Sequence, residues 1–173
     1  MSDFKEAEIK DALVLDKDNN LMKTSFLITA KADNKVNTMT AAWFSIGNIW
    51  SMPVFIIMVK KSRYTHLFLE KSKTFSISFL DDLNSIKLGY LGTVSGRDED
   101  KISRADLHLS FINDTPFIEE SKQVIICTKL YENDCNTDRI LSDSIIKKYY
   151  SGANQGNYHT LYIGRIDKVL NRN

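Results

Sequence analysis

The chain has little that would force a covalently braced or membrane-bound architecture. Only two of its 173 residues are cysteine, Cys127 and Cys135. They form neither a CxxC pair nor a disulfide framework. The expectation is two reduced thiols in a cytoplasmic protein, with Cys127 buried in a strand. Proline occurs only at positions 53 and 116, and no repeat, low-complexity tract or linker interrupts the chain. The longest apolar run, residues 54–59, is far shorter than the ~20 residues a membrane helix needs. The first residues mix acidic and basic side chains and lack the apolar centre of a signal peptide. Charge of one sign is missing too. Twenty-three basic residues against 22 acidic ones leave a formal charge of +1. No global field therefore draws the chain to nucleic acid or to an acidic membrane, and neither partner is expected. There is no GxGxxG. His66 and His108 share no metal spacing with His159 or with either cysteine, so no metal site is expected.

What is present is a hydrophobic fraction of 43%, enough for one sizeable core. Residues 1–20 are expected to form an N-terminal extension or first strand, and residues 21–173 a single domain. Residues 21–32 and 36–46 read as a hairpin turning at Ala32-Asp33-Asn34-Lys35, with a break at Gly47-Asn48. The continuous apolar run after Pro53 reads as a strand covered on both faces. A short helix is expected over residues 64–71, and a strand over 74–80, where Phe75, Ile77 and Phe79 alternate with Ser76 and Ser78. Asp81 or Asp82 would cap a helix over 83–91. A further short helix falls near 100–104, a strand over 123–131, a helix from Ser142 through Tyr150 stopped by Gly152, and a closing strand over 158–170. Gly164 marks a bulge or bend in that last strand. The class is mainly β with short helices, arranged as an antiparallel barrel with helical insertions; strands and helices do not alternate as in a Rossmann sheet.

Three polar clusters could carry chemistry. Lys60-Lys61-Ser62-Arg63-Tyr64-Thr65 sits at a helix start, where unpaired N–H groups, bidentate arginine and hydroxyls suit a phosphate. The plainer reading is that Ser62 or Thr65 caps the helix and the cations are solvated. Ser95-Gly96-Arg97 through Lys101 offers a glycine for close backbone approach and a lysine point charge. The plainer reading is a solvated run whose charges nearly cancel. Asn37-Thr38-Met39-Thr40, with Ala41, Ala42 and Trp43, offers small residues that leave room for a flat ring. The plainer reading is hairpin packing with Trp43 and Trp50 in the core.

The three clusters in this order resemble the flavin reductase-like family. Its pattern runs Asn-x-Met-Thr, a small residue, Trp, a Gly-containing turn, Trp, Pro, an apolar strand, Arg-Pro-Ser-Arg-Tyr-Thr, then Ser-Gly-Arg-Asp-x-Asp-Lys. Here it is matched by Asn37, Met39, Thr40, Trp43, Gly47, Trp50, Pro53, Ser62, Arg63, Tyr64, Thr65, Ser95, Gly96, Arg97, Asp98, Asp100 and Lys101. His159 with Leu161-Tyr162-Ile163-Gly164 looks like the family's last strand. The departures are Lys60-Lys61 for Arg-Pro, Ala42 for a common Ser, Asp106 for a usual Gly, and Arg165 for a common acidic residue.

The resemblance implies an FMN-binding split β-barrel and a homodimer with FMN at the subunit interface. The ring would lie against Asn37 to Trp43, and the phosphate would meet Ser62, Arg63 and Thr65 with Ser95 and Lys101 opposite. NADH or NADPH would be the donor, and free flavin or a redox protein the acceptor. No side chain is required as acid, base or nucleophile; His159 is the one candidate. Three functions stay open at this point: an NAD(P)H-dependent flavin reductase, a flavoredoxin-like electron carrier, and a non-catalytic flavin-binding module.

Overall fold

In the computed structural model of the chain, residues 4–13 and 24–172 are described. Ten strands and four helices follow one another: β1 (Phe4–Ala7), β2 (Phe26–Ala32), β3 (Lys35–Ala41), β4 (Phe44–Ile49), β5 (Met52–Lys60), α1 (Tyr64–Lys71), β6 (Thr74–Leu80), α2 (Lys87–Thr93), α3 (Lys101–Arg104), β7 (Leu109–Ile112), β8 (Thr115–Ile118), β9 (Ser121–Asp134), α4 (Asp143–Tyr149) and β10 (His159–Arg172). The main sheet is antiparallel in the order β3-β2-β6-β9-β10-β5-β4, with β1 added to β10. Its two end strands are consecutive in sequence, separated only by Ala42 and Trp43. That short link holds the sheet ends together, and the sheet curls into a barrel. No helix among the described residues is long and apolar enough to cross a membrane.

The interior is aromatic. Phe26 meets Phe44 and Phe55 edge to face at 5.2 and 5.6 Å, and Phe44 stacks on Phe55 at 5.4 Å. These contacts join β2 to β4 and β5 across the barrel. Phe75, Ile77, Phe79 and Tyr162 fill the same core. A second apolar layer, Leu27, Leu80, Leu91, Ile102, Leu107 and Ile118, lies where α2, α3 and β8 cover the other face of β2 and β6. Strand β2 is therefore buried on both sides. Strand β5 is not: Phe55, Ile57 and Val59 are fully buried, whereas Ile56 and Met58 stay partly open. The expected cover on both faces is incomplete, and Met58 is free to line a cavity.

The turns follow the Asx chemistry expected of them. Asp33 and Asn34 both take left-handed φ, 49° and 61°, in a two-residue turn that pairs Ala32 with Lys35. Asn113 and Asp114 do the same between β7 and β8, a hairpin absent from the sequence reading although Asn-Asp between two apolar runs is the same signal. The expected break at Gly47-Asn48 is corrected. Gly47 pairs with Val54 and Asn48 with Pro53 inside β4–β5, and the break falls at Ala42-Trp43. Pro53 is tolerated because the β10 ladder ends at Val54, so no N–H is missed there. The helix expected over 83–91 begins instead at Lys87, because Asp81 Oδ1 accepts from Asn84 N at 2.8 Å and closes a preceding turn. Of the strand expected over 21–32, residues 21–23 lie outside the described residues.

Gly164 is required by close approach. The β9–β10 register shifts between Ile163 and Gly164. A Cβ at 164 would stand 2.5 Å from Phe75 Cζ and 2.9 Å from Cys127 Cβ. Cys127 is fully buried there, and burial pushes its thiol well above the ordinary range. Gly164→Ala is expected to cost about 1–3 kcal/mol by overpacking, read as a lower urea midpoint. Adding Phe75→Leu should return part of the loss; an unchanged midpoint for the single variant would remove the constraint.

Candidate functional site

Two recesses adjoin at one end of the barrel. The first encloses about 380 Å³ out to its mouth and is walled by β3, the start of α1, the segment after α2, and α3. The second encloses about 560 Å³ and is walled by Met39, Thr40, Ala41, Ala42, Trp43, Met58, Lys60, Arg63 and His159. Met39 and Arg63 belong to both.

The first recess is built by a glycine-dependent contact. Asn37 on β3 donates from Nδ2 to Thr65 Oγ1 at 2.8 Å, and both residues are buried. A Cβ on Gly96 would stand 2.1 Å from Asn37 Oδ1 and 3.2 Å from the Tyr64 ring, so only glycine lets the loop lie against the amide. Arg97 extends over the Tyr64 ring, 4.8 Å from its centroid, and donates to Ser62 O at 3.3 Å. Arg63 donates from Nη2 to Gly92 O. Lys101 is 3% exposed, and its ammonium donates to Leu91 O at 2.9 Å and Val94 O at 3.1 Å. The two cations thus satisfy the carbonyls at the end of α2, as basic groups at helix C-termini do. Burial, and then the charge of Arg63, push the Lys101 amine down to about 8. No Asp or Glu lines either recess, while Arg63, Arg97 and Lys101 line the first and Lys60 the second.

Neither hydroxyl caps α1. Its N-cap is Arg63, which makes no side-chain cap bond. Thr65 is held by Asn37. Ser62 is held by Asn157, whose Oδ1 accepts from Ser62 N at 3.2 Å and whose Nδ2 donates to Ser62 Oγ at 3.0 Å. Lys60 donates to Asn154 Oδ1 at 2.8 Å, and Lys61 pairs with Asp134. Thr160 donates to Asp134 Oδ1 at 2.8 Å and accepts from His66 Nε2 at 2.9 Å, pinning α1 to β10.

The floor of the second recess is flat because Ala41 and Ala42 carry only methyl groups. Trp43 is 38% exposed and Trp50 58%, so neither belongs to the core that ordinary hairpin packing would give them. Trp43 lies 4.7 Å from the His159 ring and meets Tyr149 edge to face at 4.9 Å. His159 is 7% exposed. Burial, and then the charge of Lys60, push its imidazole down to about 4. Thr40 donates to Leu88 O at 2.6 Å and ties β3 to α2. Among the described residues, no three of His, Cys, Asp and Glu gather to hold a metal ion.

The flavin reductase like domain matches residues 20–173. The chain belongs to this family. Similar structures are the FMN-binding domain of a flavin reductases-like enzyme from Shewanella baltica (17% identity, 98% of this chain and 77% of that one, TM-score 0.71) and flavoredoxin from Methanosarcina acetivorans (21%, 87% and 71%, 0.66). The FMN-binding protein from Thermus thermophilus with bound p-hydroxybenzaldehyde is a third (23%, 84% and 69%, 0.62). The shared fold is the split barrel of flavin reductase-like proteins. A comparison with curated proteins gives no match.

Of the three clusters read from the sequence of this flavin reductase-like chain, Thr38, Lys61, Asp98, Glu99 and Asp100 line neither recess, and the other members divide between the two. Asn37, Met39, Ser62, Arg63, Tyr64, Thr65, Ser95, Gly96, Arg97 and Lys101 line the first; Thr40, Ala41, Ala42, Trp43, Lys60 and His159 line the second. Lining residues missed by sequence reasoning are Thr93, Val94 and Met58. Also missed were Asn154 and Asn157, which lie in a stretch read only as a helix stop. Of the departures, Asp106 adopts φ 51°, the left-handed conformation in which a glycine is unstrained and aspartate is tolerated. Arg165 pairs with Asp167 and lines neither recess.

The depressed Lys101 value sets a pH dependence. Between about pH 8 and the unfolded value of 10.5, the unfolded chain binds more proton at this site, so the native state gains stability as pH rises. Wild-type stability minus that of Lys101→Met, from urea denaturation, should therefore rise across this window. A flat difference would show that the amine is not depressed.

Proposed function

We propose that the chain binds FMN across the two recesses and works as a flavoprotein oxidoreductase, an NAD(P)H-dependent flavin reductase. One observation carries the reading: a recess lined by three cations and no carboxylate opens onto a second whose floor, at Ala41 and Ala42, is flat and apolar. An anionic group on a planar ring matches that pair. Arg63, Ser62, Ser95 and Lys101 would hold the phosphate, with Gly96 giving the clearance. Arg97, stacked on Tyr64, supplies further positive charge. Met39, Thr40, Ala41, Ala42 and Trp43 would hold the ring.

FMN held there by Arg63, Ser62, Ser95 and Lys101 would supply two-electron redox chemistry between a reduced nicotinamide and an acceptor. The chain's own residues then bind, orient and shield. Arg63 is itself oriented by Gly92 O, so it meets an anion without first losing much rotamer freedom. Trp43, braced edge to face by Tyr149, would shield one side of a ring in the second recess. No side chain has to act as nucleophile, acid or base. Exposed Trp50 and its neighbour Tyr131 offer apolar area to a second subunit, which supports a homodimer. Free Cys127 and Cys135 suit the reducing cytoplasm. The likeness to flavoredoxin favours an alternative in which another protein, and not nicotinamide, exchanges electrons with the flavin.

Absorbance spectra of the purified protein with added FMN, before and after anaerobic NADH or NADPH, test this reading. A bound-flavin spectrum that bleaches quickly is expected. A spectrum that persists gives the electron carrier, and failure to bind FMN ends both. Arg63→Ala should weaken FMN binding on the order of tenfold or more; unchanged affinity would remove its phosphate role. Sedimentation of the FMN-loaded protein should show a dimer, and a monomer that retains FMN would overturn the second subunit.

A further inference from the structure

The connection from β9 to β10, residues 135–158, folds back over the second recess. Asn154 reaches Lys60, Asn157 reaches Ser62, Tyr149 reaches Trp43, and Tyr150 reaches His159. The last contact is the most buried. Tyr150 is 4% exposed and His159 7%. Tyr150 Oη lies 2.9 Å from His159 Nδ1, and the two rings meet edge to face at 5.6 Å.

The direction of the proton follows from what else each group can reach. A neutral imidazole carries one N–H and one lone pair. Among the described residues the Tyr150 hydroxyl has no second polar partner. Were Nδ1 to carry the proton, the hydroxyl hydrogen would be left in the interior without an acceptor, which is costly. The hydroxyl therefore donates to Nδ1, and the imidazole proton sits on Nε2. That nitrogen has no partner among the described residues, and His159 lines the second recess.

We propose that Tyr150 is a positioning residue that fixes His159 in the Nε2–H tautomer, so that the second recess presents a neutral N–H donor to a carbonyl or ring nitrogen of a planar heterocycle. The identity of that heterocycle rests on the flavin reading of the site; the tautomer does not. The groups facing the imidazole agree with a neutral ring. Lys60 stands opposite it on β5, Arg63 lies across the recess at the head of α1, and the rings that meet it are those of Trp43 and Tyr150. Cys135, whose N–H donates to His159 O, has a thiol that burial pushes up, as it does the Tyr150 hydroxyl. Both therefore stay protonated. A neutral donor bonds a ring carbonyl without adding a further cation beside Lys60 and Arg63.

Long-range 1H–15N spectra of the wild-type imidazole test the tautomer directly, with no ligand present. The expected result, between about pH 5 and 8, is a bare Nδ1 and a protonated Nε2. A proton on Nδ1 overturns the proposal whether or not FMN binds. In Tyr150→Phe the imidazole should become a mixture of tautomers and titrate at higher pH. An unchanged tautomer and titration there would also overturn it. The functional arm is a double-mutant cycle on FMN affinity. Tyr150→Phe should weaken binding several-fold beside His159, and should cost almost nothing beside His159→Gln, whose amide donor needs no tautomer. Equal losses in both backgrounds would mean that Tyr150 acts on packing alone. If the wild-type tautomer is as expected and FMN does not bind, the flavin reading fails and the tautomer stands.

Discussion

Strand β10 can run beside both β5 and β9 because Gly164 lets it pass within contact of the Phe75 ring and the Cys127 side chain. Each half of the strand then has its own task. The half from His159 to Arg165 pairs with β5 and delivers His159 to the second recess. The end from Val169 to Arg172 pairs with β1 across from Phe4 to Ala7. The ladder with β9 shifts again between Ile166 and Lys168, where the partner on the other edge changes from β5 to β1. The bend thus links the packing of the barrel interior to the position of the imidazole at its mouth.

The cations of the first recess belong to the fold before they belong to any ligand. Arg63 and Lys101 both donate to carbonyls at the end of α2. Those bonds hold the α2–α3 connection against β3, and the same connection carries Gly96 to Asn37. Stability and anion affinity draw on one set of side chains. Buried charge is costly unless it is hydrogen-bonded, and here the helix end meets that requirement. The recess consequently keeps its shape through main-chain contacts and not through carboxylates, which would repel a phosphate.

The parts of the fold visible in the sequence were those governed by local pattern. The alternation of Phe75, Ile77 and Phe79 marks the inner face of β6, and its bounds match residues 74–80. The helix Tyr64–Lys71 follows from its spacing in the same way. Gly47 misled because glycine is read as a breaker, yet nothing lies within 4 Å of where its Cβ would be, so glycine is merely tolerated on the open strand β4. The true break at Ala42-Trp43 carries neither glycine nor proline. It is set by closure of the sheet, which no local signal encodes. The lining of the site was legible because its clusters resemble a family pattern. The tethers Asn154, Asn157 and Tyr150 were not, because they reach partners fixed only by tertiary placement. Asp106 shows the limit in another form: a left-handed position is written in the backbone and not in the residue that fills it.

One consequence concerns Cys127. Its thiol lies beneath the bend of β10, fully buried and held in its protonated form. Peroxide and other oxidants attack thiolates that solvent can reach. The crowding of Gly164 against the Cys127 side chain leaves no room for an oxidant to approach, so the interior of the barrel carries a thiol without carrying a redox liability.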